Sequence, residues 1–238
     1  MKIALLDFHK KKNNKITETY KIRDALKVKD SIEVEIFEML EGITPQVPLE
    51  QYSALILSGS DSNYLIRYRG YYVTKKLIKQ AAADDMPILG ICAGHQILAS
   101  MLGISLELMK DGPEMGWYEI FLSPEGKNDP LFKGFPDRFV SFFCHIKKVD
   151  LENKNGVAVL AKNDNCVQAL KFEKNCYSIQ FHPEDTIEGG EELIQKYKRR
   201  PPTKQNRVST PAELFCKQVF ANFIEMVESY EEQRKRLQ

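Results

Sequence analysis

The sequence predicts an α/β fold, with a doubly wound, mostly parallel sheet, an antiparallel strand extension and a C-terminal helix. Three observations predict it. Short apolar runs alternate with helical patterns over the first hundred residues, turn-rich strand patterns follow, and the chain ends on a long amphipathic segment. At 238 residues the chain is long enough to bury a substantial core as one domain, and we expect a single domain over 1–238.

The order of the elements follows from the spacing of apolar residues. Parallel strands are expected at 3–6, 32–37, 54–57 and 88–91, with helices near 17–26, 73–83 and 93–103. Hairpins are expected from strands at 117–122, 138–142, 157–160, 167–172 and 177–181. A final helix at about 211–236 should pack on the sheet through Leu214, Val219, Phe220, Phe223, Ile224 and Val227.

Composition gives no reason to expect a nucleic acid, a membrane or a metal as a partner. The chain has 34 basic and 33 acidic residues, so its net charge of +1 favours neither nucleic acid nor a membrane as a partner. Its five cysteines are irregularly spaced and form no zinc-binding pattern, so we expect no metal, no cofactor and no disulfide framework. The N-terminus lacks the pattern of a signal peptide. A cytoplasmic location fits these features.

Residues 88–96 read Ile-Leu-Gly-Ile-Cys-Ala-Gly-His-Gln, an apolar run that ends in a cysteine between two glycines. This pattern predicts a strand, a sharp turn that carries Cys92, and a helix behind it. Such a turn projects its central side chain above the C-terminal edge of a sheet. Because the helix N-terminus favours a thiolate, Cys92 is predicted to be a nucleophile rather than a structural core cysteine.

The segment Gln180-Phe181-His182-Pro183-Glu184 closes the last predicted strand. Side chains two residues apart on an extended segment point to the same side, so Glu184 can hold one ring nitrogen of His182. The other nitrogen can then take a proton from Cys92, as in thiol acyl transfer. Together with the cysteine turn, the segment predicts a catalytic site rather than a surface turn.

Acyl transfer also needs donors for a developing oxyanion. The N–H of Ala93, the residue after the nucleophile, can supply one. A Gly/Ser loop, Leu57-Ser58-Gly59-Ser60-Asp61-Ser62, follows the neighbouring predicted strand. Gly59 and Ser60 are placed to supply the second donor, although a loop of this composition is often an ordinary turn.

These three elements, in this order, resemble the class I (triad) glutamine amidotransferases. The segment Gly90-Ile91-Cys92-Ala93-Gly94-His95-Gln96 matches the family's Gly-x-Cys-x-Gly-x-Gln turn, Ser58-Gly59 its oxyanion loop, and His182-Pro183-Glu184 its base and carboxylate. The resemblance covers roughly residues 1–186 and extends to the γ-glutamyl peptidases of the same family. It implies a flavodoxin-like sheet with the site at the C-terminal edge of the parallel strands.

The resemblance also implies the chemistry. Cys92 would attack the side-chain amide of glutamine or another γ-glutamyl compound, and a γ-glutamyl thioester would hydrolyse to glutamate. His182 would protonate the departing ammonia, Glu184 would orient His182, and Gln96 would help to hold the substrate. The oxyanion hole would consist of Gly59, Ser60 and Ala93.

Departures from the family pattern bear on the substrate. Position 60 is serine where many members have glycine, and a positive φ there would cost a serine more. The segment His145-Ile146-Lys147-Lys148-Val149 has lysines where relatives often have acids, and His145 is not assigned to catalysis. A basic insert at about 186–210 begins at the rim of the predicted site. It could be a lid, a clamp for an anionic substrate, a docking surface or a solvated loop.

Three functions remain open on this sequence. The first is a glutaminase that passes ammonia to a separate synthase, since the chain has no recognisable acceptor domain. The second is a stand-alone hydrolase of γ-glutamyl amide bonds that uses the same thioester. The third is a catalytically silent binding or regulatory module on the same fold, against which the intact Cys92, His182 and Glu184 argue.

Overall fold

The computed structural model describes residues 1–10, 17–61, 70–151, 156–197 and 212–237. Its strands are β1 (Lys2–Asp7), β2 (Glu33–Glu38), β3 (Ala54–Leu57), β4 (Ile88–Ile91), β5 (Ser105–Leu108), β6 (Glu114–Leu122), β7 (Arg138–His145), β8 (Lys147–Asp150), β9 (Ala158–Lys162), β10 (Val167–Glu173) and β11 (Cys176–Ile179). Its α-helices are α1 (Thr17–Leu26), α2 (Tyr71–Ala83), α3 (Ala93–Met101), α4 (Pro124–Lys127), α5 (Ile187–Tyr197) and α6 (Ala212–Arg236). Single turns of 3-10 helix lie at Met39–Glu41, Leu49–Gln51 and Pro130–Phe132.

Nine strands form one mixed sheet in the order β2-β1-β3-β4-β11-β10-β9-β6-β7. The strands from β2 to β11 pair in parallel, and those from β11 to β7 pair antiparallel. The parallel part has the strand order of flavodoxin-like sheets. The predicted fold, with its antiparallel extension and C-terminal helix, is therefore confirmed.

Alternation along β1 explains why helices cover both faces of the parallel sheet. Ile3 and Leu5 point into one core, which α1 and α6 cover, whereas Ala4 and Leu6 point into a second core, which α2 and α3 cover. All four side chains are fully buried. A strand that is buried on both faces needs apolar side chains on both, so polar and apolar residues do not alternate along it. β1 therefore appears in the sequence as a continuous apolar run.

Several elements differ from the sequence expectation. β6 begins at Glu114 rather than at residue 117, and β7 continues to His145 rather than ending at residue 142. β5 and β8 form a separate two-stranded sheet that the sequence did not predict. The reason is that β5 is mostly exposed and therefore lacks the apolar alternation of a half-buried strand.

The region after the site contains a helix. α5 occupies the first part of the basic insert, and its Gly190 packs so closely on Trp117 and Phe142 that an added Cβ would lie 2.8 Å from the Phe142 ring. The rest of the insert, including Lys198, Arg199, Arg200 and Arg207, lies outside the described residues. Within the described ranges, no helix combines the length and the apolar character needed to cross a membrane.

Candidate active site

Cys92 lies at the sharp turn between β4 and α3, as its sequence motif predicts. Its backbone has φ 50° and ψ −100°, and among the described non-glycine residues only Cys92 and Asp85 have positive φ. A backbone of this kind costs about 1–3 kcal/mol and persists only where its surroundings hold it. Here the N–H of Cys92 donates to the carbonyl of Ile179 at 2.8 Å, and the N–H of Gln96 donates to the carbonyl of Cys92 at 3.2 Å.

The two glycines around Cys92 allow the turn to pack closely. A Cβ on Gly94 would lie 2.4 Å from the carbonyl oxygen of Leu57, at the end of β3. A Cβ on Gly90 would lie 2.7 Å from the backbone of Gly94 and from a methyl group of Leu98. The glycines therefore bring α3 down onto the sheet, with the N-terminus of α3 directly behind the cysteine.

His95, the other titratable residue of this motif, is a core residue. It is fully buried, with Nδ1 2.7 Å from the hydroxyl of Ser178. Burial, with a smaller contribution from the charge of His145, lowers the pKa of His95 to about 3. The His95 ring is therefore neutral at physiological pH and packs inside the protein.

His182 and Glu184 form a buried pair beside Cys92. Nδ1 of His182 lies 2.8 Å from Oε1 of Glu184, whose side chain is only 2% exposed. Burial lowers the pKa of His182, but the charges of Cys92 and Glu184 outweigh it and raise that pKa well above its usual value. The three predicted residues thus lie together in the order carboxylate, imidazole and thiol.

The antiparallel extension supplies one wall of this arrangement. The N–H of His182 donates to the carbonyl of Phe142 in β7 at 2.9 Å, which fixes the chain just beyond β11. The Sγ of Cys92 lies 3.8 Å from the carbonyl oxygen of Cys144, two residues further along β7. The antiparallel strand β7 therefore contacts the backbone of His182 and the thiol of Cys92 from one side.

The predicted oxyanion loop contacts the same centre from β3. A Cβ on Gly59 would lie 3.3 Å from Cε1 of His182 and 3.7 Å from Cβ of Cys92. Ser60 does not have the positive φ considered from the sequence. Its Oγ instead donates to the carbonyl of Phe8 at 2.6 Å, so serine at this position ties the loop to the end of β1.

A cavity of about 90 Å³ opens beside the thiol, and the predicted substrate-binding residue Gln96 lines its wall. Its wall also includes Ser60, Cys92 and Ala93. The Nε2 of Gln96 donates to the carbonyl of Lys147 at 3.0 Å and to Oε1 of Gln180 at 3.1 Å. The position of the Gln96 side chain in the wall is thus fixed by its own hydrogen bonds.

Near this cavity, Glu114, His145 and Cys166 present potential metal ligands within 4.8 Å of one another. Nε2 of His145 lies 2.7 Å from Oε2 of Glu114, and both side chains are 2% exposed. The other oxygen of Glu114 already accepts hydrogen bonds from the amides of Asn163 and Asn165, each at 2.6 Å. Both oxygens of Glu114 thus already have partners within the protein, and this arrangement suits a buried hydrogen-bond network better than a metal site.

Titratable residues at the rim of the candidate active site were not predicted from the sequence. Asp185, next to Glu184, is buried and pairs with Lys21 of α1 at 2.6 Å. Burial and the charge of Glu184 raise the pKa of Asp185. At the end of α5, burial and the charges of Cys144 and Asp61 raise the pKa of Tyr197, as expected if the insert borders the site.

His9 was also missed. It follows β1 at the C-terminal edge of the sheet, with its Nδ1 2.8 Å from the buried Asp7, and its Nε2 lies 3.8 Å from the Cβ position of Gly59. A titratable residue directly after a buried parallel strand was the available signal, since sites of open α/β sheets lie beyond those strand ends.

The fold and the Cys-His-Glu proximity define an α/β protein with a thiol, an imidazole and a carboxylate close together at the C-terminal edge of its parallel strands. The sequence profile of glutamine amidotransferase class-I matches residues 10–197. The chain therefore belongs to the class I glutamine amidotransferase family.

A sequence relative agrees with this assignment, and two solved structures share the fold. A GMP synthase (glutamine-hydrolyzing) subunit of Methanosphaera stadtmanae is 32% identical over 197 residues, which cover 80% of this chain and 94% of the relative. A glutamine amidotransferase from Thermotoga maritima superposes with a TM-score of 0.76 at 23% identity, over 95% of this chain and 97% of that one. A glutamine amidotransferase from Methylobacillus flagellatus gives a TM-score of 0.74 at 17% identity, over 94% of each chain. At these identities, the structures show the shared fold.

Proposed function

We propose that this protein is a glutaminase that cleaves the side-chain amide of glutamine through a γ-glutamyl thioester on Cys92. The observation that carries the proposal is the strained turn that presents Cys92 beside the buried His182–Glu184 pair. This arrangement supports nucleophilic catalysis because an imidazole held by a carboxylate can accept the thiol proton and later return it. Membership of a family of glutamine-hydrolysing enzymes narrows the electrophile to a γ-glutamyl carbon.

In the proposed reaction the sulfur of Cys92 attacks the amide carbon, and the carbonyl oxygen becomes an oxyanion. The backbone N–H groups of Gly59 or Ser60 and of Ala93 stabilise that oxyanion. When the tetrahedral intermediate collapses, the C–N bond breaks and His182 gives its proton to the nitrogen, which leaves as ammonia. Water then attacks the thioester carbon and releases glutamate and the free thiol.

In this proposal the substrate side chain occupies the cavity next to Cys92. Gln96 lies in its wall, and its fixed amide supports a role in holding the glutamyl part. Lys147 of β8 also belongs to the wall. A lysine there favours a substrate that carries a carboxylate, as glutamine and other γ-glutamyl compounds do.

We further propose that the ammonia is delivered to a separate synthase. Two curated relatives, from Methanosphaera stadtmanae and Methanopyrus kandleri, are named as subunits of a glutamine-hydrolyzing GMP synthase, and a subunit is one part of an assembly. The second of these is 30% identical over 157 residues, or 64% of this chain and 78% of the relative. A partner of this kind predicts low glutaminase activity alone and stimulation on association.

The test measures glutamate release by the purified full chain from glutamine and from a γ-glutamyl dipeptide. We expect turnover of glutamine, loss of that turnover in Cys92→Ser and His182→Asn, and covalent labelling of Cys92 by a glutamine-like chloroketone. Preferred turnover of the dipeptide would identify a γ-glutamyl peptide hydrolase instead. If neither substrate is turned over and Cys92 is not labelled, the protein is a silent module on this fold.

A further inference from the structure

A further imidazole–carboxylate pair, His9 and Asp7, lies at the C-terminal end of β1, next to the proposed catalytic centre. Asp7 is fully buried, and its Oδ1 accepts hydrogen bonds from the backbone N–H of His9 at 3.1 Å and from the hydroxyls of Thr19 and Ser58. Nδ1 of His9 lies 2.8 Å from the same Oδ1 and 3.1 Å from the Thr19 hydroxyl. When the ring is neutral, these acceptors favour the tautomer with its proton on Nδ1, which leaves Nε2 as a hydrogen-bond acceptor.

The segment that carries His9 is attached to the oxyanion loop. The hydroxyl of Ser60 donates to the carbonyl of Phe8 at 2.6 Å, and the N–H of Phe8 donates to the hydroxyl of Ser58 at 3.0 Å. The N–H of Lys10 donates to Oδ1 of Asp61 at 3.0 Å. His9 is therefore held in a fixed position relative to the loop that contacts Cys92 and His182.

The two imidazoles and the side chain of Cys92 lie around the same point beside Gly59. From the position that a Cβ on Gly59 would take, Nε2 of His9 lies at 3.8 Å, Cε1 of His182 at 3.3 Å and Cβ of Cys92 at 3.7 Å. Neither histidine belongs to the wall of the cavity that contains Gln96. A γ-glutamyl group held in that cavity would therefore present its scissile bond between the cavity and the two histidines.

We propose that His9 binds the amine that leaves the γ-glutamyl group. This assignment rests on the proposed function. When the C–N bond breaks, the electron pair stays on nitrogen and His182 supplies one proton, while the remaining N–H groups of ammonia or of a larger amine are hydrogen-bond donors. Nε2 of His9 is the matching acceptor on that side of the thiol, and His9 itself gains and loses no proton in the step.

The same position would receive an amine that attacks the thioester, because attack is the reverse of departure. An amine such as hydroxylamine can form a new C–N bond at the thioester carbon while the C–S bond breaks and the proton of the amine passes to His182. The acceptor on His9 would orient the N–H of the incoming amine. His9 therefore affects the partition of the thioester between hydroxylamine and water.

The experiment compares the wild type with His9→Ala, His9→Gln and Lys10→Ala, a neighbouring exposed control. Three quantities are measured: kcat/KM for glutamine, the ratio of γ-glutamyl hydroxamate to glutamate when hydroxylamine is present, and the rate at which a glutamine-like chloroketone labels Cys92. The chloroketone loses chloride rather than an amine. Its reaction thus reports on the cavity, Cys92 and His182 without involving the amine position.

For His9→Ala we expect kcat/KM and the hydroxamate ratio to fall roughly threefold to tenfold, the value of one hydrogen bond, at an unchanged labelling rate. His9→Gln keeps an acceptor and should recover most of the loss, and Lys10→Ala should match the wild type. An equal loss of labelling and of turnover in His9→Ala would mean that His9 only supports the loop. If none of the three quantities changed, His9 would have no part in binding the amine. Both results overturn the assignment. If the wild type is labelled but releases no amine from glutamine or a γ-glutamyl dipeptide, the proposed function itself fails.

Discussion

Replacement of Glu184 by Gln tests the buried carboxylate that holds His182. Glutamine is nearly isosteric, so Nδ1 of His182 keeps a hydrogen-bond acceptor at the 2.8 Å position while the negative charge is lost. A pair of unit charges about 4 Å apart is worth about 4 kcal/mol at an effective dielectric constant of 20. The neutral amide of glutamine at position 184 recovers only part of this interaction energy with the His182 imidazolium. We therefore expect kcat for the substrate glutamine to fall about 10²-fold to 10³-fold.

The same substitution has a second readout, in its pH dependence. The charges of Cys92 and Glu184 raise the pKa of His182 against the opposing effect of burial. A carboxylate stabilises the imidazolium, so its removal lowers that pKa. His182 in the variant should then lose its proton at a lower pH than in the wild type, which NMR of the ring protons can measure.

The assay for both readouts uses glutamate release and NMR on folded protein of matched thermal stability. Glu191→Gln, on the exposed surface of α5, is the control and should behave as the wild type does. Turnover of Glu184→Gln within twofold of the wild type, with no decrease in the pKa of His182, would refute the role given to Glu184.

Two further predictions concern stability. In Gly94→Ala the new Cβ would lie 2.4 Å from the backbone of Leu57, and overpacking of about 1–3 kcal/mol should lower Tm by roughly 2 to 12 °C. Gly112→Ala is the comparison, because no atom lies within 4 Å and only its φ of +90° opposes alanine; an equal decrease in both variants would contradict this account. His95 has a folded-state pKa of about 3 against about 6.5 when unfolded, so as pH falls the unfolded chain is protonated at this residue before the folded protein is. The contribution of His95 to the free energy of unfolding is therefore complete above pH 6.5 and decreases as pH falls toward 3. Urea denaturation at pH 4 to 8 should therefore show a flatter pH dependence for His95→Gln than for the wild type, and identical slopes would speak against a buried neutral His95.

Much of the fold could be predicted from local patterns. The buried runs of β1, β3 and β4 are continuous because both sheet faces are covered, and the helical period of α6 is evident from Val219 to Val227. β5 was missed because most of its side chains are exposed, so that pairing with β8 rather than any apolar pattern defines it. The helix α5 was not predicted because its adjacent glycines, Gly189 and Gly190, weaken the helical signal of the segment.

The sequence by itself determined the local chemistry of the site. A glycine-flanked cysteine after a buried strand fixes a sharp turn, and a two-residue spacing on extended backbone brings Glu184 to His182, so the neighbouring residues alone encode both features. Only the tertiary structure decided what surrounds them. β7 reaches His182 through the carbonyl of Phe142, and β1 brings His9 to Gly59, because sheet pairing and the Ser60–Phe8 hydrogen bond join segments about forty or more residues apart, a proximity that no local pattern records.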